Sequence, residues 1–226
     1  LGITGVITSV AVQKSTLFYE IPFMLVITAV LLVMGVTGQA VTRIEGVILL
    51  LLFIVYLVYL YFLSKQSKEE EQEEKIEMPV WKCMLLIMIG GVLIVLGSDF
   101  AVKGASELAR TFGVSERFIG LTIVALGTSL PELVTSVTAA RKGNADIAIG
   151  NIVGSNIFNI LFVIGTTALI IPIPFAANFL IDSAIAIFAA ILLWICVLKT
   201  KKLTRMGGII MLLCYGAYFV YLLMQS

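Results

Sequence analysis

The side chains of this chain that could do chemistry are oxygen donors set in otherwise apolar sequence. In GTSLPELVTS, residues 127–136, Thr128, Ser129 and Glu132 lie within about one helical turn, with a proline among them. Proline has no N–H and its ring opens the preceding turn, so carbonyl oxygens near residues 125–128 lose their helical partners. Hydroxyl, carboxylate and carbonyl oxygens together favour a hard cation.

Glu132 is the strongest candidate of this group. It follows Thr128 by four residues and Ser129 by three, so the three side chains are predicted to share a helical face, which Ser136 extends by one turn. Thr and Ser often bond their own helix, and proline kinks are common in membrane helices. An ionised carboxylate at mid-bilayer depth, however, costs roughly 3 kcal/mol or far more and normally faces a cavity, an ion or a partner. We therefore predict a functional role for Glu132.

A second polar stripe lies in GNIVGSNIFNI, residues 150–160. Asn151, Ser155 and Asn159 recur every four residues, and two glycines at the same spacing permit close helix packing. For Asn151 and Asn156, ion binding and interhelical hydrogen bonding are equally good interpretations. Ser155 and Asn159 are the better ligand candidates.

The donor set selects the class of ion. It contains oxygens without sulfur or imidazole, which suits Ca²⁺ with its six to eight oxygen ligands, and also Na⁺, which is similar in size. A single glutamate does not neutralise a dication. We therefore expect a second, equivalent cluster to face this one across a pseudo-twofold axis at the bilayer midplane.

The elements that must position these residues are membrane helices. Of the 226 residues, 60% are hydrophobic and 13% charged, and the mean hydropathy is +1.11. A net charge of +1 gives no indication of nucleic-acid binding, and the chain has no histidine. Its three cysteines lie singly in apolar runs and are interpreted as small hydrophobic residues. Apolar runs long enough to span a bilayer are predicted at about 18–36, 46–63, 80–101, 116–140, 146–171, 178–198 and 207–224.

An internal repeat relates the two parts of the chain. Residues 42–60 align without gaps to residues 204–222, at an offset of 162, and residues 1–7 resemble residues 164–170, at an offset of 163. The second copy has five spans, an odd number, so the two repeats are predicted to be inverted in the membrane. By this alignment about 85 residues of the first repeat are expected ahead of Leu1.

The charges indicate an orientation and the domain boundaries. Residues 1–63 are predicted to end the first repeat, residues 64–79 to form an acidic cytosolic linker, and residues 80–226 to form the second repeat, with its α-repeat at about 97–172. Basic residues divide eleven to four between the two sides, which places the linker in the cytosol and the C-terminus outside. The larger group is Lys14, Lys65, Lys68, Lys75, Lys82, Arg141, Lys142, Lys199, Lys201, Lys202 and Arg205.

The two polar motifs together resemble a known family. GTSLPE followed by GNIVGSNIFN is similar to the second α-repeat of the cation/calcium exchanger superfamily, and nearly the whole chain resembles a bacterial calcium/sodium antiporter that lacks its first α-repeat. The resemblance implies an all-α polytopic fold of inverted five-helix repeats in a prokaryotic inner membrane. It also implies exchange of Ca²⁺ for Na⁺ by the parent protein, with the present chain alone inactive.

The resemblance also implies roles for individual residues. Glu132 would be a ligand shared by Ca²⁺ and Na⁺, Thr128 would contribute hydroxyl and carbonyl oxygens, and Ala125 a carbonyl. Hydroxyls of Ser129 and Ser155 would complete sodium sites. The family carries either aspartate or asparagine at the position of Asn159; asparagine lowers the charge of the site and leaves K⁺ co-transport and the ion stoichiometry open. No cofactor is expected besides the transported ions.

Three alternatives remain, the first of them also a transporter. A proton-coupled cation antiporter, in which Glu132 would titrate, is the nearest. An integral-membrane enzyme is disfavoured because the sequence shows no His/Cys/Asp constellation and no paired acid and base. A channel is disfavoured because interrupted helices in inverted repeats are typical of carriers. Three further acidic residues lie near the ends of predicted spans, where snorkelling or capping is expected: Asp99, Glu107 and Asp182.

Overall fold

A computed structural model describes residues 1–70, 78–175 and 177–225. The described chain is almost wholly helical. The α-helices are α1 (Gly2–Ile7), α2 (Ile21–Gly38), α3 (Arg43–Glu70), α4 (Val80–Thr111), α5 (Glu116–Ile119), α6 (Ala125–Thr128), α7 (Leu130–Arg141), α8 (Ala145–Phe158), α9 (Gly165–Ile170), α10 (Ala177–Leu198) and α11 (Arg205–Gln225). Three π-helical turns interrupt them, at Thr16–Glu20, Gly120–Val124 and Asn159–Ile164. Four two-residue strands are β1 (Val10–Ala11), β2 (Ala40–Val41), β3 (Ile173–Pro174) and β4 (Lys202–Leu203).

The helices agree with the seven predicted spans. In the described residues, five helical stretches are long and apolar enough to cross a membrane: Thr16–Gly38, Arg43–Gln66, Val80–Thr111, Ile147–Ile170 and Phe179–Leu198. A sixth span is a bent pair, Thr122–Thr128 and Leu130–Arg141, and a shorter apolar helix covers Arg205–Tyr221. The expected helical, polytopic architecture is therefore confirmed.

The strands show how the two repeats are related. β1 pairs antiparallel with β4, and β2 pairs antiparallel with β3. The repeat offset maps β1 onto β3 and β2 onto β4, so each strand pair is the symmetry counterpart of the other. α1 packs on α11 and α9 packs on α3, which are again equivalent contacts, and α2 packs on its own counterpart, α10. This exchange of partners is the pattern that a pseudo-twofold axis produces.

Glycines allow the equivalent helices to approach closely. A Cβ added at Gly46 would lie 2.8 Å from the carbonyl oxygen of Gly165, and one added at Gly208 would lie 2.8 Å from the carbonyl oxygen of Gly2. The repeat offsets relate Gly46 to Gly208 and Gly2 to Gly165. The same backbone contact therefore occurs once in each half, and a larger side chain has no room at either place.

The strand pairs lie at opposite ends of the membrane helices. β1 precedes the 23-residue span Thr16–Gly38, and β2 follows it. At 1.5 Å per residue this span is about 34 Å long, close to the thickness of a bilayer core. Pairing of β1 with β4 thus brings Lys14 to the same end as Lys199, Lys201 and Lys202, while Arg43 lies at the other end.

The core lies where α2, α3, α8 and α10 meet. Trp194 on α10 donates its indole N–H to the carbonyl of Leu17 at 3.0 Å and joins the two repeats. α4, by contrast, contacts the region of α5, α6 and α7, and Ser106 is its only buried residue. The largest fully buried side chains include Leu17, Ile21, Ile27, Leu49, Ile149, Ile157, Leu161 and Val197.

The predicted linker is only partly described. α3 continues past the end of the apolar run and ends at Glu70, so residues 64–70 are helical. Residues 71–77, which hold most of the acidic run, lie outside the described residues. The proposed domain boundary at 63/64 therefore stays a prediction.

Candidate cation-binding site

The first polar motif lies at a bend between two helices. α6 ends at Thr128, α7 begins at Leu130, and the two helical segments meet at 52° with Ser129 between them. Pro131, in the first turn of α7, has no N–H to continue the helix, which is the predicted cause of the break. The amide of Ser129 donates to the carbonyl of Leu126 at 3.1 Å, a tightened turn typical of a helix end. Thr128 thus belongs to a different helical segment from Glu132, with Ser129 at the junction, and the single shared face predicted from sequence is divided by the bend.

The bend is held by close packing against α4. A Cβ added at Gly127 would lie 1.9 Å from Cγ2 of Val102, so only glycine leaves space for this valine. Because Val102 occupies the volume that any other residue at 127 would need, α4 fixes the position of the turn that precedes Glu132. The sequence analysis interpreted Gly127 as part of the break and did not predict this contact.

Glu132 has the environment expected of an ion ligand. It lies in the first turn of α7 and is half-buried, but its Oε2 atom is buried and has no hydrogen-bond partner among the described residues. A buried carboxylate oxygen without a donor is costly, and neighbouring backbone amides or basic side chains normally satisfy it. In the described part of the chain the ion pairs are Lys103–Asp99 and Arg110–Glu116, and neither involves Glu132.

α8 runs antiparallel to α7 and supports its backbone. The amide nitrogen of Asn151 donates to Oγ of Ser136 at 3.2 Å and reaches the carbonyl oxygen of Glu132 at 3.4 Å. Ser136 is completely buried, so this interhelical contact is shielded from solvent. For Asn151 the structure therefore favours helix–helix bonding, one of the two interpretations that the sequence left open.

The antiparallel register brings the two motifs to one level. Ser136 on α7 lies opposite Asn151 on α8. Glu132 precedes Ser136 by about one helical turn, and Ser155 follows Asn151 by about one helical turn. In antiparallel helices these two residues are therefore at the same depth. The Ser155 hydroxyl is half-buried and donates to the Ile152 carbonyl at 3.1 Å, which leaves its lone pairs available to a cation.

The remaining predicted ligands lie at helix discontinuities. Asn159 is exposed and begins a π-helical turn, and Ala125 is the first residue of α6, directly after another π-helical turn. Such turns displace backbone groups from regular pairing and occur often at functional sites. Asn156, in contrast, is exposed and donates to the carbonyl of Ile152 in its own helix at 2.8 Å.

The chemistry of this arrangement is that of an incomplete oxygen cage. Within the described ranges there is no cluster of three or more His, Cys, Asp or Glu side chains, so a cation at Glu132 would depend on hydroxyl, amide and carbonyl oxygens for its other ligands. A site of one carboxylate and neutral oxygens binds a monovalent cation readily and needs further negative charge to hold Ca²⁺ tightly.

Comparison with known proteins identifies relatives of this chain. The family model described as sodium/calcium exchanger protein matches residues 82–224. CaxA of Alkalimonas amylolytica, whose name proposes an antiporter, is 35% identical over 237 residues, which cover 100% of this chain and 74% of that protein. The sodium/calcium exchanger MaX1 of Methanosarcina acetivorans is 45% identical over 112 residues, covering 49% of this chain and 32% of MaX1.

Solved structures show the same fold. A structure of the sodium-calcium exchanger NCX_Mj, soaked with Na⁺ and Sr²⁺, superposes with a TM-score of 0.78 at 30% sequence identity. The match covers 97% of this chain and 70% of that one.

Proposed function

Because this chain belongs to the sodium/calcium exchanger family, we propose that it forms part of an antiporter that exchanges Ca²⁺ for Na⁺ across the membrane. Cation exchange by an integral membrane protein follows from the family and from the membrane-spanning helices. The identity of the two exchanged ions, Ca²⁺ and Na⁺, is the proposal. It is supported by the names of MaX1 and NCX_Mj, which are sodium/calcium exchangers.

The observation that carries the proposal is the orphaned carboxylate oxygen of Glu132. It lies in the first turn of α7, directly after the bend of an otherwise apolar span. A cation is the partner that compensates such a group at low cost, because it satisfies both the charge and the lone pairs. We propose Glu132, Thr128, Ser129, Ser155, Asn159 and the carbonyl of Ala125 as ligands.

Exchange follows when the same oxygens serve both ions. Glu132 provides charge for Ca²⁺ or for Na⁺, and the two ions compete because one set of oxygens does not hold both fully at once. An equivalent cluster from the other repeat would supply the second carboxylate that a dication needs. The pseudo-twofold exchange of β1–β4 with β2–β3 supports this arrangement, since it relates the two repeats about a common axis.

The proposed orientation has the linker 64–79 in the cytosol and the C-terminus outside, in a prokaryotic inner membrane. The pairing of β1 with β4, which groups Lys14 with Lys199, Lys201 and Lys202 at one end, supports the charge asymmetry. A reporter protein fused after Ser226 tests the orientation: one that is active only outside the cytosol supports it, and one that is active only inside contradicts it.

Transport in reconstituted vesicles tests the function. Ca²⁺ uptake into Na⁺-loaded vesicles should require the outward Na⁺ gradient and stop when a Na⁺ ionophore dissipates it. Uptake driven by a pH gradient without Na⁺ would instead support the proton-coupled alternative, and a current that is ohmic and independent of counter-ions would support a channel. Addition of K⁺ to either side tests whether K⁺ is co-transported.

The experiment has two arms. The 226-residue chain is compared with the longer product, where its gene encodes residues ahead of Leu1. We expect exchange from the longer product and none from the 226 residues alone. Na⁺-driven Ca²⁺ flux from the 226 residues would show that this segment contains a complete transport site.

A further inference from the structure

Glu20 is a second buried carboxylate, remote in sequence from the proposed ion ligands. It is the last residue of the π-helical turn Thr16–Glu20 and is 7% exposed. It accepts a hydrogen bond from its own turn, where the Thr16 hydroxyl donates to Oε2 at 3.1 Å. Neither ion pair of the described chain involves Glu20. This carboxylate therefore needs compensation that no basic side chain provides.

The π-helical turn gives a further reason to regard Glu20 as a binding residue. Of the three π-helical turns, one begins at Asn159 and another ends immediately before Ala125, both of which are proposed cation ligands. The third ends at Glu20. Each π-helical turn of the described residues thus contains or directly precedes a residue that we regard as a binding residue, and such turns occur often at functional sites.

Aromatic and aliphatic side chains surround Glu20. A cavity of about 230 Å³ is lined by Tyr19, Glu20, Phe23, Val55, Tyr56 and Tyr59. The hydroxyl of Tyr59 is buried and has no hydrogen-bond partner among the described residues. The carboxylate thus shares an otherwise apolar pocket with an unsatisfied tyrosine hydroxyl.

A larger opening leads to the same residue from the other side. This cavity, of about 590 Å³, is lined by Gln13 and Thr16 near the end of the span and by Gly150 and Gly154 of α8. Because the two glycines leave space beside the turn, Glu20 is accessible from the end of the membrane where β1 and β4 lie.

The titratable groups that face Glu20 are tyrosines. Tyr19 lies on its own turn, and Tyr56 and Tyr59 come from α3. From α8 the cavity walls receive Ile147, Gly150, Gly154 and Phe158, and from α2 they receive Phe23. α10 also packs on the π-helical turn, where Trp194 donates its N–H to the Leu17 carbonyl. None of these described side chains is basic.

This environment selects a proton over a metal cation. Ca²⁺ requires six to eight oxygens, whereas the side-chain oxygens that line the two cavities are those of Glu20, the Thr16 and tyrosine hydroxyls and the Gln13 amide, whose oxygen already accepts from Ser15. One proton removes the charge completely and converts the carboxylate into a hydrogen-bond donor. A hydroxyl oxygen such as that of Tyr59 accepts hydrogen bonds from such a donor. An isolated carboxyl group in apolar surroundings is most stable in this neutral form.

The equivalent position in the second repeat provides an internal comparison. The offset of 162 maps Glu20 onto Asp182, and Tyr56 and Tyr59 onto Tyr218 and Tyr221. Tyr218 donates its hydroxyl to Oδ1 of Asp182 at 2.7 Å, so this carboxylate has a tyrosine donor. Glu20 has no corresponding tyrosine bond in the described structure, although the tyrosines are present in both repeats.

We propose that Glu20 is a proton-binding site of the first repeat, separate from the Glu132 site and reached through the cavity beside Gln13 and Thr16. The proton comes from water at that membrane face and adds to a carboxylate oxygen, so the group changes from an anion to a neutral acid. Loss of the proton leaves an unpaired anion between the π-helical turn and the tyrosines of α3. Deprotonation at alkaline pH is therefore expected to loosen this turn from α3.

Infrared difference spectroscopy of the full 226-residue chain in lipid bilayers tests the proposal without requiring transport. A protonated carboxyl group has a C=O stretching band distinct from those of carboxylates and amides. We expect this band at neutral pH, its loss on alkaline titration, and its complete absence in Glu20→Gln. The matched variants Asp182→Asn and Glu132→Gln should keep it, which makes the outcome independent of the proposed transport function.

The remaining outcomes are equally decisive. A Thr16→Val variant should retain the band at a shifted frequency, because the hydroxyl that donates to the carboxyl group is removed, and it provides a second measurement if Glu20→Gln does not fold. A wild-type spectrum without the band at neutral pH would overturn the proposal, as would a band that survives Glu20→Gln. Loss of the band on adding Na⁺ at constant pH would assign the site to a metal cation instead.

Discussion

Glu132 and Glu20 are two carboxylates beside irregular turns of apolar helices, but different neighbours surround them. Glu132 follows a 52° bend, and its backbone carbonyl is reached by the Asn151 amide of α8 at 3.4 Å. Glu20 follows a π-helical turn and lies among tyrosine and phenylalanine rings. A cation needs many oxygens, whereas a proton needs one. The residues that surround each carboxylate therefore distinguish the two sites, although the central group is the same.

Removal of the charge at Glu132 should have the largest effect. In the longer product that is expected to transport, a Glu132→Gln variant should lower Na⁺-driven Ca²⁺ uptake about 100-fold or more, because loss of the central carboxylate removes roughly 3 kcal/mol of stabilisation of the divalent ion. Vesicle uptake measures this. Glu107→Gln, which neutralises an exposed glutamate on α4, is the matched control and should transport normally. Undiminished transport by Glu132→Gln would remove the basis of the proposed function.

The bend before Glu132 should be sensitive to added volume. A Gly127→Ala substitution places a Cβ 1.9 Å from Val102 and is expected to cost about 1–3 kcal/mol of stability. Thermal unfolding in detergent measures the loss. Gly120→Ala, at a helical glycine with nothing within 4 Å, is the control and should be nearly neutral.

A compensating substitution sharpens this test. Val102→Ala removes the methyl groups that Gly127→Ala would meet, so the double variant should regain most of the stability lost in Gly127→Ala. If the double variant is no more stable than the single one, the contact between α4 and the bend does not determine the preference for glycine.

The interhelical amide should have an intermediate effect. Asn151→Ala removes the donor to Ser136 and to the carbonyl of Glu132, so we expect the apparent affinity for Ca²⁺ to fall about 10-fold, as is typical for groups that orient a ligand. Ca²⁺ dependence of uptake measures the affinity. Asn156→Ala removes an exposed amide that bonds its own helix and should leave the affinity unchanged. Equal losses in both variants would contradict a specific role for Asn151.

The smallest effect should come from the hydrogen bond within the π-helical turn. Thr16→Val keeps the shape of the side chain but removes the donor to Glu20, and is expected to cost about 1 kcal/mol of stability. Thermal unfolding measures this cost. Ca²⁺ affinity should not change, because the Glu20 pocket is separate from the Glu132 site. A parallel loss of Ca²⁺ affinity would show that the two sites are coupled.

Much of the architecture was predictable because its signals are local. Apolar runs of bilayer length gave the spans, and the identities between residues 42–60 and 204–222 gave the repeat. The proline in the GTSLPE motif gave the break before Glu132, since a missing N–H acts on its own helix. Each of these depends on residues adjacent in sequence or on comparison of the sequence with itself.

Asp182 and Glu20 show what the sequence left undecided. Asp182 was expected to cap or snorkel, but it accepts a hydrogen bond from Tyr218, 36 residues away. Glu20 was not singled out, although its equivalence to Asp182 and the matching tyrosines of the two repeats are visible in the sequence. That signal became meaningful only when the burial of Glu20 was known.

The sequence by itself determined a polytopic helical exchanger-like chain with an internal repeat and a polar, proline-broken turn at Glu132. Only the tertiary structure decided which oxygens are already bonded, which helix fills the space beside Gly127, and which carboxylate has a tyrosine donor. The physical reason is that hydropathy and backbone chemistry act along the chain, whereas the satisfaction of a buried polar atom depends on groups brought to it from distant helices.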